Sequence, residues 1–197
     1  MKLRPRAEVF CFKRNQVLCG FRKDYVVFPG GGIDPSESAK QAAIRECAEE
    51  GGRRLINCTV AHPPTTQIWA PEYQKSRRGK DPEDYEGSYT YWMTGSTSRV
   101  PVPPPDRHAD YEPTMDWHPV SRVIVRLQRE LKGDWADDVK VRIKVLETHL
   151  EMQRKHAEAG AESTSEAMTL GEHACALVAS IHPRFPVLHA SPRAATT

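Results

Sequence analysis

No run of apolar residues in the 197-residue chain approaches the length that crosses a membrane, and the basic start, residues 1–6, is not followed by the apolar core of a secretory signal. The chain also lacks an excess of charge of one sign, since 28 Lys and Arg balance 26 Asp and Glu to a formal net charge of +2. This balance argues against a surface built mainly to grip a nucleic-acid backbone. We expect a soluble, cytoplasmic protein that makes no contact with a membrane.

Cysteine and the common phosphate-binding motifs are also sparse. The five cysteines are odd in number and include no CxxC pair, which gives no sign of a zinc ribbon or a disulfide framework. Buried, reduced thiols are the expected state. The run Gly30-Gly31-Gly32 lacks the GxGxxG spacing and no Walker lysine follows it, so neither of the two common phosphate-cradling motifs is present.

The spacing of apolar residues predicts short strands on both sides of this glycine run. Residues 7–12 and 17–21 are β-type runs joined by a polar hairpin turn at residues 13–16. A third strand, at 25–28, should stop at Pro29 and the glycines. Further strands are expected at 54–60, 66–69, 88–94 and 115–117, with surface loops at 72–87 and 101–105.

Helices are predicted after the glycine run and near the end of the chain. Ser38 and Gln41 fit a capping box for a helix over 39–50, which Gly51 and Gly52 end. Residues 120–131 and 135 to about 156 have helical spacing. We expect one α+β domain over 1–156, with a mixed sheet sandwiched by helices. An extension over 157–197 should be partly flexible, with one short helix near 168–179.

The most informative feature is a crowd of carboxylates on the helix over 39–50. Glu46, Glu49 and Glu50 fall within roughly 100° of one another on a helical wheel. Like charges at this spacing repel, so the cluster is unfavourable without a cation. A solvated acidic helix face is the ordinary explanation. The nearby glycine run and Arg45 favour a site instead, because Mg²⁺ takes carboxylate oxygens and Arg45 can orient a carboxylate.

The spacing of these residues resembles the Nudix box, GX5EX7REUXEEXGU, of the MutT-like hydrolases. All seven fixed positions match: Gly31, Glu37, Arg45, Glu46, Glu49, Glu50 and Gly52. Of the positions for bulky apolar residues, the first is Cys47, which is apolar enough, and the last is Arg53, which departs from the pattern. The approach to the box over 28–33 is also similar, and the resemblance extends over about 7–156.

The resemblance implies a Nudix-type α/β/α sandwich that binds Mg²⁺, or Mn²⁺, and hydrolyses a diphosphate by attack of water at phosphorus. Glu46, Glu49 and Glu50 are then the metal-site carboxylates, with the Gly30 carbonyl as a further candidate ligand. Arg45, Glu46 and Glu50 are the expected catalytic residues.

The resemblance leaves open the role of Glu37 and the identity of the general base. Glu37 is expected to support Arg45 or to reach a metal through water. The general base is either Glu46, oriented by Arg45, or an acid outside the box. Asp116 is the candidate for that outer acid and for an additional metal ligand, with Glu112 as the alternative to it.

Substrate binding is expected around the box. Gly31 and Gly32 leave room for a phosphate against the main chain, and Arg22 is a candidate phosphate contact. The aromatic residues that are candidates for stacking on a base are Tyr25, Trp69, Tyr73 and Trp92, although aromatic residues in strands are more often core. A basic segment at 75–80 is a candidate for contact with polyphosphate or RNA, although a solvated loop is the ordinary explanation.

Three functions are consistent with these residues. The first is a diphosphatase acting on nucleoside di- or triphosphates or nucleoside diphosphate derivatives. The second is an RNA 5′-end processing pyrophosphohydrolase. The third is a non-catalytic nucleotide-binding Nudix module, which the complete set of acids disfavours. The sequence leaves open whether RNA is a partner and whether the chain forms a homodimer.

Overall fold

A computed structural model describes the backbone of residues 1–23, 25–79, 84–102, 114–131 and 135–181, and their side chains except at 99, 100 and 160–181. The strands are β1 Leu3–Lys13, β2 Gln16–Phe21, β3 Val26–Val27, β4 Gly30–Gly32, β5 Arg53–Ile68, β6 Gly87–Pro101 and β7 Asp116–Pro119. The helices are α1 Ala39–Glu49, α2 Pro71–Arg77, α3 Val120–Arg129 and α4 Ala136–Ile181.

The described strands form one mixed sheet. Its main path runs β3-β2-β1-β6-β5, with β4 also pairing with β1 and β7 pairing with β2. β1 and β6 are parallel, whereas β1 is antiparallel to β2 and β4. β1 is therefore the central strand, and side chains on it reach both faces of the sheet.

The alternation of side chains along β1 separates two hydrophobic cores. Ala7, Val9 and Cys11 belong to a core that includes Ala42, Ala43 and Cys47 of α1. Phe10 belongs to a second core with apolar residues of α3 and α4. Helices thus cover both faces of the sheet, and the predicted α+β sandwich is confirmed.

Several predicted elements are confirmed in detail. The hairpin joins β1 to β2, with Lys13 opposite Gln16. Ser38 caps α1, and its side chain and that of Gln41 form both hydrogen bonds of the capping box. The helix predicted from residue 135 packs against the core on one side, where Val139 and Leu146 are buried and Ile143 and Leu150 lie against the same cluster.

The glycine run and the proline-containing part of β5 differ from expectation. The glycines do not end the sheet: β4 pairs with β1, placing Gly30 opposite Glu8 and Gly32 opposite Arg6. The strands predicted at 54–60 and 66–69 are one strand, β5. Its pairing with β6 shifts register around His62, between Val60 and Thr65. Proline has no main-chain N–H to donate, so a strand tolerates it at bulges and at the edge of a sheet. β5 has both features.

Two helical segments also differ from expectation. The predicted loop at 72–87 contains α2, which starts with Pro71 in its first turn. α4 does not stop near His156 but continues to Ile181, so the short helix predicted near 168–179 is part of α4. None of the described helices combines the length and apolar character needed to span a membrane. By contacts the chain separates into two units, Met1–Gln153 and Arg154–Thr197.

A largely buried ion pair connects α4 to the central strand. The Arg142 guanidinium donates to both carboxylate oxygens of Glu8, over 2.8 and 2.7 Å. The two side chains are only 17% and 7% exposed. Because each charge is compensated by the other and by paired hydrogen bonds, the cost of burying them is offset.

We expect Glu8→Gln to lower the free energy of unfolding by about 3–5 kcal/mol, because it leaves the Arg142 charge buried without its partner. The measurement is urea denaturation of the parent and the variant. Lys140→Gln is the matched control, since Lys140 lies on the same helix in an exposed pair with Asp137 and should change stability little. Equal losses in the two variants would contradict the role given to Glu8.

Candidate active site

The position of α1 against the sheet is set by small residues. Ala42, Ala43 and Cys47 are fully buried on the side that faces β1. The Cys47 sulfur lies 3.1 Å from the sulfur of Cys11 on β1. Small side chains at these places let the helix approach the sheet closely, which brings its acidic end to the edge of β4.

The three glycines of β4 each contact a different side chain of the acidic segment. Gly30 N–H donates to Glu50 Oε2 over 2.9 Å, and the Gly32 carbonyl accepts from Arg45 Nη2 over 2.9 Å. A Cβ built on Gly31 would lie 2.2 Å from Glu46 Oε1. A side chain at this position would displace the Glu46 carboxylate, so glycine is required where it packs.

Arg45 connects three carboxylates. It donates to both oxygens of Glu37, from Nε over 3.0 Å and from Nη2 over 2.9 Å. Its Nη1 donates to Glu46 Oε1 over 2.7 Å and to Glu49 Oε2 over 3.0 Å. Two carboxylate oxygens from different residues therefore converge on one cationic nitrogen. This arrangement reduces the repulsion that the sequence pattern implied.

The pKa values within this cluster follow from the same contacts. Hydrogen bonds from Arg45 hold the pKa of Glu37 below its ordinary value, against the opposing effect of burial. The pKa of Arg45 is raised by its hydrogen bonds to Glu37 and, less strongly, to Glu46 and Glu49. Glu37 and Arg45 are therefore both charged near neutral pH.

We expect the ion pair of Glu37 to make stability depend on pH in the acid range. Because the folded-state pKa is lowered from its ordinary 4.5, the stabilisation is present above that value and is lost as pH falls through the folded pKa. The difference in free energy of unfolding between the parent and Glu37→Gln should therefore shrink at low pH. Urea denaturation over a pH series measures it, and a difference that does not change with pH would refute this assignment.

A cavity of about 610 Å³ opens beside Gly30 and Glu50. It lies on the α3 and α4 side of the sheet, and its volume is in the range typical of small-molecule sites. Charged residues that line it are Arg6, Glu8, Arg22, Glu50, Arg129, Glu130 and Arg142. Aromatic side chains that line it are Tyr25, Phe28, Tyr73 and Trp135. This combination suits a ligand with both an anionic part and a flat ring.

Comparison with known proteins decides the family. A model of the NUDIX domain matches residues 2–140. The chain belongs to the Nudix family. With every fixed residue of the box in place, it is a Nudix pyrophosphohydrolase. No curated protein matches the chain in sequence.

Solved structures with a similar fold include other Nudix proteins. The crystal structure of an ADP compounds hydrolase is 18% identical, covers 76% of this chain and 74% of its own, and has a TM-score of 0.51. A Nudix hydrolase from Nitrosomonas europaea is 16% identical, with coverages of 75% and 90% and a TM-score of 0.49. A MutT protein from Bacillus halodurans is 18% identical, with coverages of 73% and 82% and a TM-score of 0.49. At this identity the first of these supports the fold alone.

Nudix hydrolases generally use a divalent metal ion, and the donors at this box fit one in kind. Glu46, Glu49 and Glu50 supply carboxylates, and the glycine strand supplies main-chain carbonyls, which are the oxygen ligands that hard cations prefer. Glu46 and Glu49 already share one cationic nitrogen. Within the described part of the chain, no three acidic, His or Cys side chains converge as a complete ligand set. Glu50 accepts from Gly30 N–H.

The structure brings some predicted site residues together and leaves others apart. Arg22 lines the cavity with Gly30 and Glu50. Asp116, on β7, accepts from Trp117 N–H and influences the pKa values of Cys19 and His118. Among the described residues, none of these interactions joins it to a Nudix-box acid. Glu112 lies outside the described residues.

The aromatic residues predicted to stack on a base divide between the cavity and the interior, and part of the predicted basic segment lies in α2. Tyr25 and Tyr73 line the cavity, whereas Trp69 and Trp92 are buried. Lys75 and Arg77 lie in α2. Lys80, the end of the basic segment, lies outside the described residues.

Sequence reasoning missed the charged wall of the cavity. Glu8, Arg142 and Glu130 come from β1, α4 and the end of α3, and Trp135 precedes α4. The available signal was Glu8, a single acid between buried Ala7 and Val9. A charge within a central strand indicates a buried partner or a polar cavity.

We expect Gly31→Ala to keep the fold but to impair divalent-metal binding and turnover. Its Cβ would overlap the Glu46 carboxylate, which is the movable end of a side chain and can be pushed aside. Gly32→Ala is the control for metal binding, since the nearest group to its Cβ would be the Arg4 guanidinium, at 3.1 Å. Metal titration and thermal melting are the measurements. Equal metal affinity in the parent and Gly31→Ala would contradict this use of the glycine.

Proposed function

We propose that the chain is a Mg²⁺-dependent hydrolase that cleaves the diphosphate linkage of a nucleoside di- or triphosphate, or of a nucleoside diphosphate derivative, by attack of water at phosphorus. The observation that carries this proposal is the cluster in which Arg45 holds Glu37, Glu46 and Glu49 beside the glycine strand. Glu50 links that cluster to a cavity suited to a nucleotide in size and lining.

The residues proposed to hold the metal are Glu46, Glu49 and Glu50, with the Gly30 carbonyl as a further ligand. When bound, Mg²⁺, or Mn²⁺ in its place, neutralises charge on the diphosphate and lowers the pKa of a coordinated water. Asp116 remains a proposed outer ligand. It lies at an exposed position on β7.

The chain's own residues are proposed to orient the reactants and to take up the proton. Arg45 fixes the Glu46 carboxylate over 2.7 Å, so Glu46 is held in one orientation and is the proposed general base. Glu50 borders the cavity and is the second acidic residue proposed to take part in catalysis. Arg45 acts by holding the Glu46 carboxylate in place.

Substrate contacts are proposed at the glycines of β4 and at Arg22, which follows β2. In an antiparallel pair, successive main-chain N–H groups point alternately toward and away from the partner strand. Val9 N–H donates to the Pro29 carbonyl and Ile33 N–H donates to the Pro5 carbonyl. The Gly31 N–H therefore also points toward β1. The main-chain N–H left for a phosphate is that of Gly32, while Gly31 contributes by lacking a side chain. Arg22, whose Nη1 donates to the Tyr25 hydroxyl over 2.8 Å, is a proposed phosphate contact.

A cytoplasmic location is proposed because the described cysteines, Cys11, Cys19, Cys47 and Cys58, are free and buried. Such thiols are typical of a reducing compartment. Formation of a homodimer stays a prediction.

We expect Glu50→Gln to lower kcat by about 10²-fold or more while leaving the melting temperature close to that of the parent. The glutamine oxygen can still accept from Gly30 N–H, but it loses the charge proposed for metal binding. The assay uses Mg²⁺ with dNTPs, oxidised dGTP, ADP-ribose, diadenosine polyphosphates, NAD and 5′-triphosphorylated RNA. ADP-containing compounds belong in the panel because one protein of similar fold is an ADP compounds hydrolase.

The matched control is Glu147→Gln, which removes the same charge from an exposed position on α4 and should leave turnover unchanged. Turnover of 5′-triphosphorylated RNA alone would assign the RNA-processing function in place of the proposed one. Nucleotide binding without turnover of any compound would support the non-catalytic module. Near-normal Mg²⁺-dependent turnover by Glu50→Gln would remove Glu50 from the site.

A further inference from the structure

Arg6 places a cation on the cavity side of β1 close to the glycine strand. It lies two residues before Glu8, so the two side chains leave the same face of the strand. Across the β1–β4 pair, Glu8 is opposite Gly30 and Arg6 is opposite Gly32. Both Arg6 and Glu8 line the cavity that Glu50 borders. Arg6 is therefore adjacent to the part of the Nudix box that faces the cavity.

Among the described residues, the Arg6 guanidinium differs from those of Arg142 and Arg22 in having no hydrogen-bonded side-chain partner. Arg142 is held by both oxygens of Glu8, and Arg22 donates to the Tyr25 hydroxyl. Across the ranges that the structure describes, no side-chain hydrogen bond or ion pair occupies Arg6 or Arg129. Arg6 acts on Asp138 only at longer range: burial raises the pKa of that acid, while Arg142 and Arg6 oppose the rise.

The backbone shows what lies on each side of Arg6. Toward the C-terminal end of β1, Glu8 is opposite Gly30, whose N–H binds Glu50. Toward the N-terminal end, Leu3 is opposite Gly87 of β6, and Trp69 N–H donates to the carbonyl of Glu86, the residue before Gly87. At about 3.3 Å per residue, Glu8 and Leu3 lie roughly 16 Å apart along the strand.

Aromatic side chains cluster at that N-terminal end. The Trp69 ring contacts Tyr73 edge to face at 5.2 Å, and Tyr73 contacts Trp135 in the same way at 5.6 Å. Tyr73 and Trp135 both line the cavity and are 39% and 38% exposed. Exposed ring faces of this kind are the surfaces on which nucleobases stack. Along β1, Arg6 lies between Leu3, at the end nearer Trp69, and Glu8, opposite Gly30.

We propose that Arg6 binds the diphosphate group of the substrate, and that the substrate lies along β1 with its base against the Tyr73–Trp135 pair. The linkage to be cleaved then lies at Gly30 and Glu50. This inference rests on the proposed diphosphatase function and adds to it the substrate's direction in the cavity. A free guanidinium there forms charge-assisted hydrogen bonds with phosphate oxygens at no cost to an existing ion pair.

The first test measures binding of methylenediphosphonate, a diphosphate analogue that is not hydrolysed, by calorimetry of the full chain with Mg²⁺. Arg6→Gln should weaken binding by about tenfold or more, as expected for loss of a charge-assisted hydrogen bond. Arg6→Lys keeps the charge and should recover part of the affinity. Arg122→Gln is the matched control, because it removes an arginine charge from an exposed position on α3 outside the cavity lining and should change affinity by less than about threefold.

The second test separates the two ends of the cavity. Tyr73→Ala should weaken binding of a nonhydrolysable nucleoside diphosphate analogue, α,β-methylene-ADP, while leaving methylenediphosphonate affinity unchanged. Arg6→Gln should weaken binding of both. Equal effects of Tyr73→Ala on the two probes would overturn the proposed direction of the substrate.

The outcomes distinguish this inference from the function it rests on. If the parent hydrolyses a compound of the panel but Arg6→Gln keeps the parental KM and diphosphonate affinity, the Arg6 assignment fails and the function stands. If Arg6→Gln weakens the diphosphonate selectively while nothing is hydrolysed, the binding site stands and the catalytic function fails. Equal losses in Arg6→Gln and Arg122→Gln, or no binding of diphosphonate by the parent, would overturn the assignment of Arg6.

Discussion

The contact of Arg45 with three carboxylates is the interaction on which the arrangement of the site depends. Without that guanidinium, Glu37, Glu46 and Glu49 would repel one another and the end of α1 would lose its fixed orientation. Arg45 also reaches the Gly32 carbonyl, so the same side chain that gathers the acids attaches them to the sheet. A stable fold and a negatively charged site thus share one residue.

The second constraint is that side chains along β1 alternate between the two faces of the sheet, which connects the site to both hydrophobic cores. On one face its small apolar residues receive α1 and bring the box acids to β4. On the other face Glu8 and Arg6 enter the cavity beneath α3 and α4. The central strand therefore carries the packing of the box helix and part of the proposed substrate site at once. The Glu8–Arg142 pair, at the base of the cavity, makes the stability of α4 depend on the same strand.

Much of this was readable from the sequence because local rules govern it. The capping box fixed the start of α1, and the spacing of Glu46, Glu49 and Glu50 indicated their common location. Long-range features were not readable from the sequence. No local rule predicts that Gly30–Gly32 pairs with β1, or that one edge strand contains the prolines at its bulges. The cavity joins residues of β1, β3, α2, α3 and α4, so its lining depends on tertiary contacts that periodicity does not report. Arg6 and Trp135 belong to this second kind.

Direct measurement of Mn²⁺ binding by electron paramagnetic resonance tests, without knowledge of the substrate, whether Glu46, Glu49 and Glu50 form a site for a divalent cation. The experiment compares the parent with the triple variant Glu46→Gln, Glu49→Gln and Glu50→Gln, after equal folding is established by circular dichroism. We expect the parent to bind Mn²⁺, to release it to excess Mg²⁺, and to lose most of this affinity in the variant. Equal Mn²⁺ binding by both proteins would contradict the account.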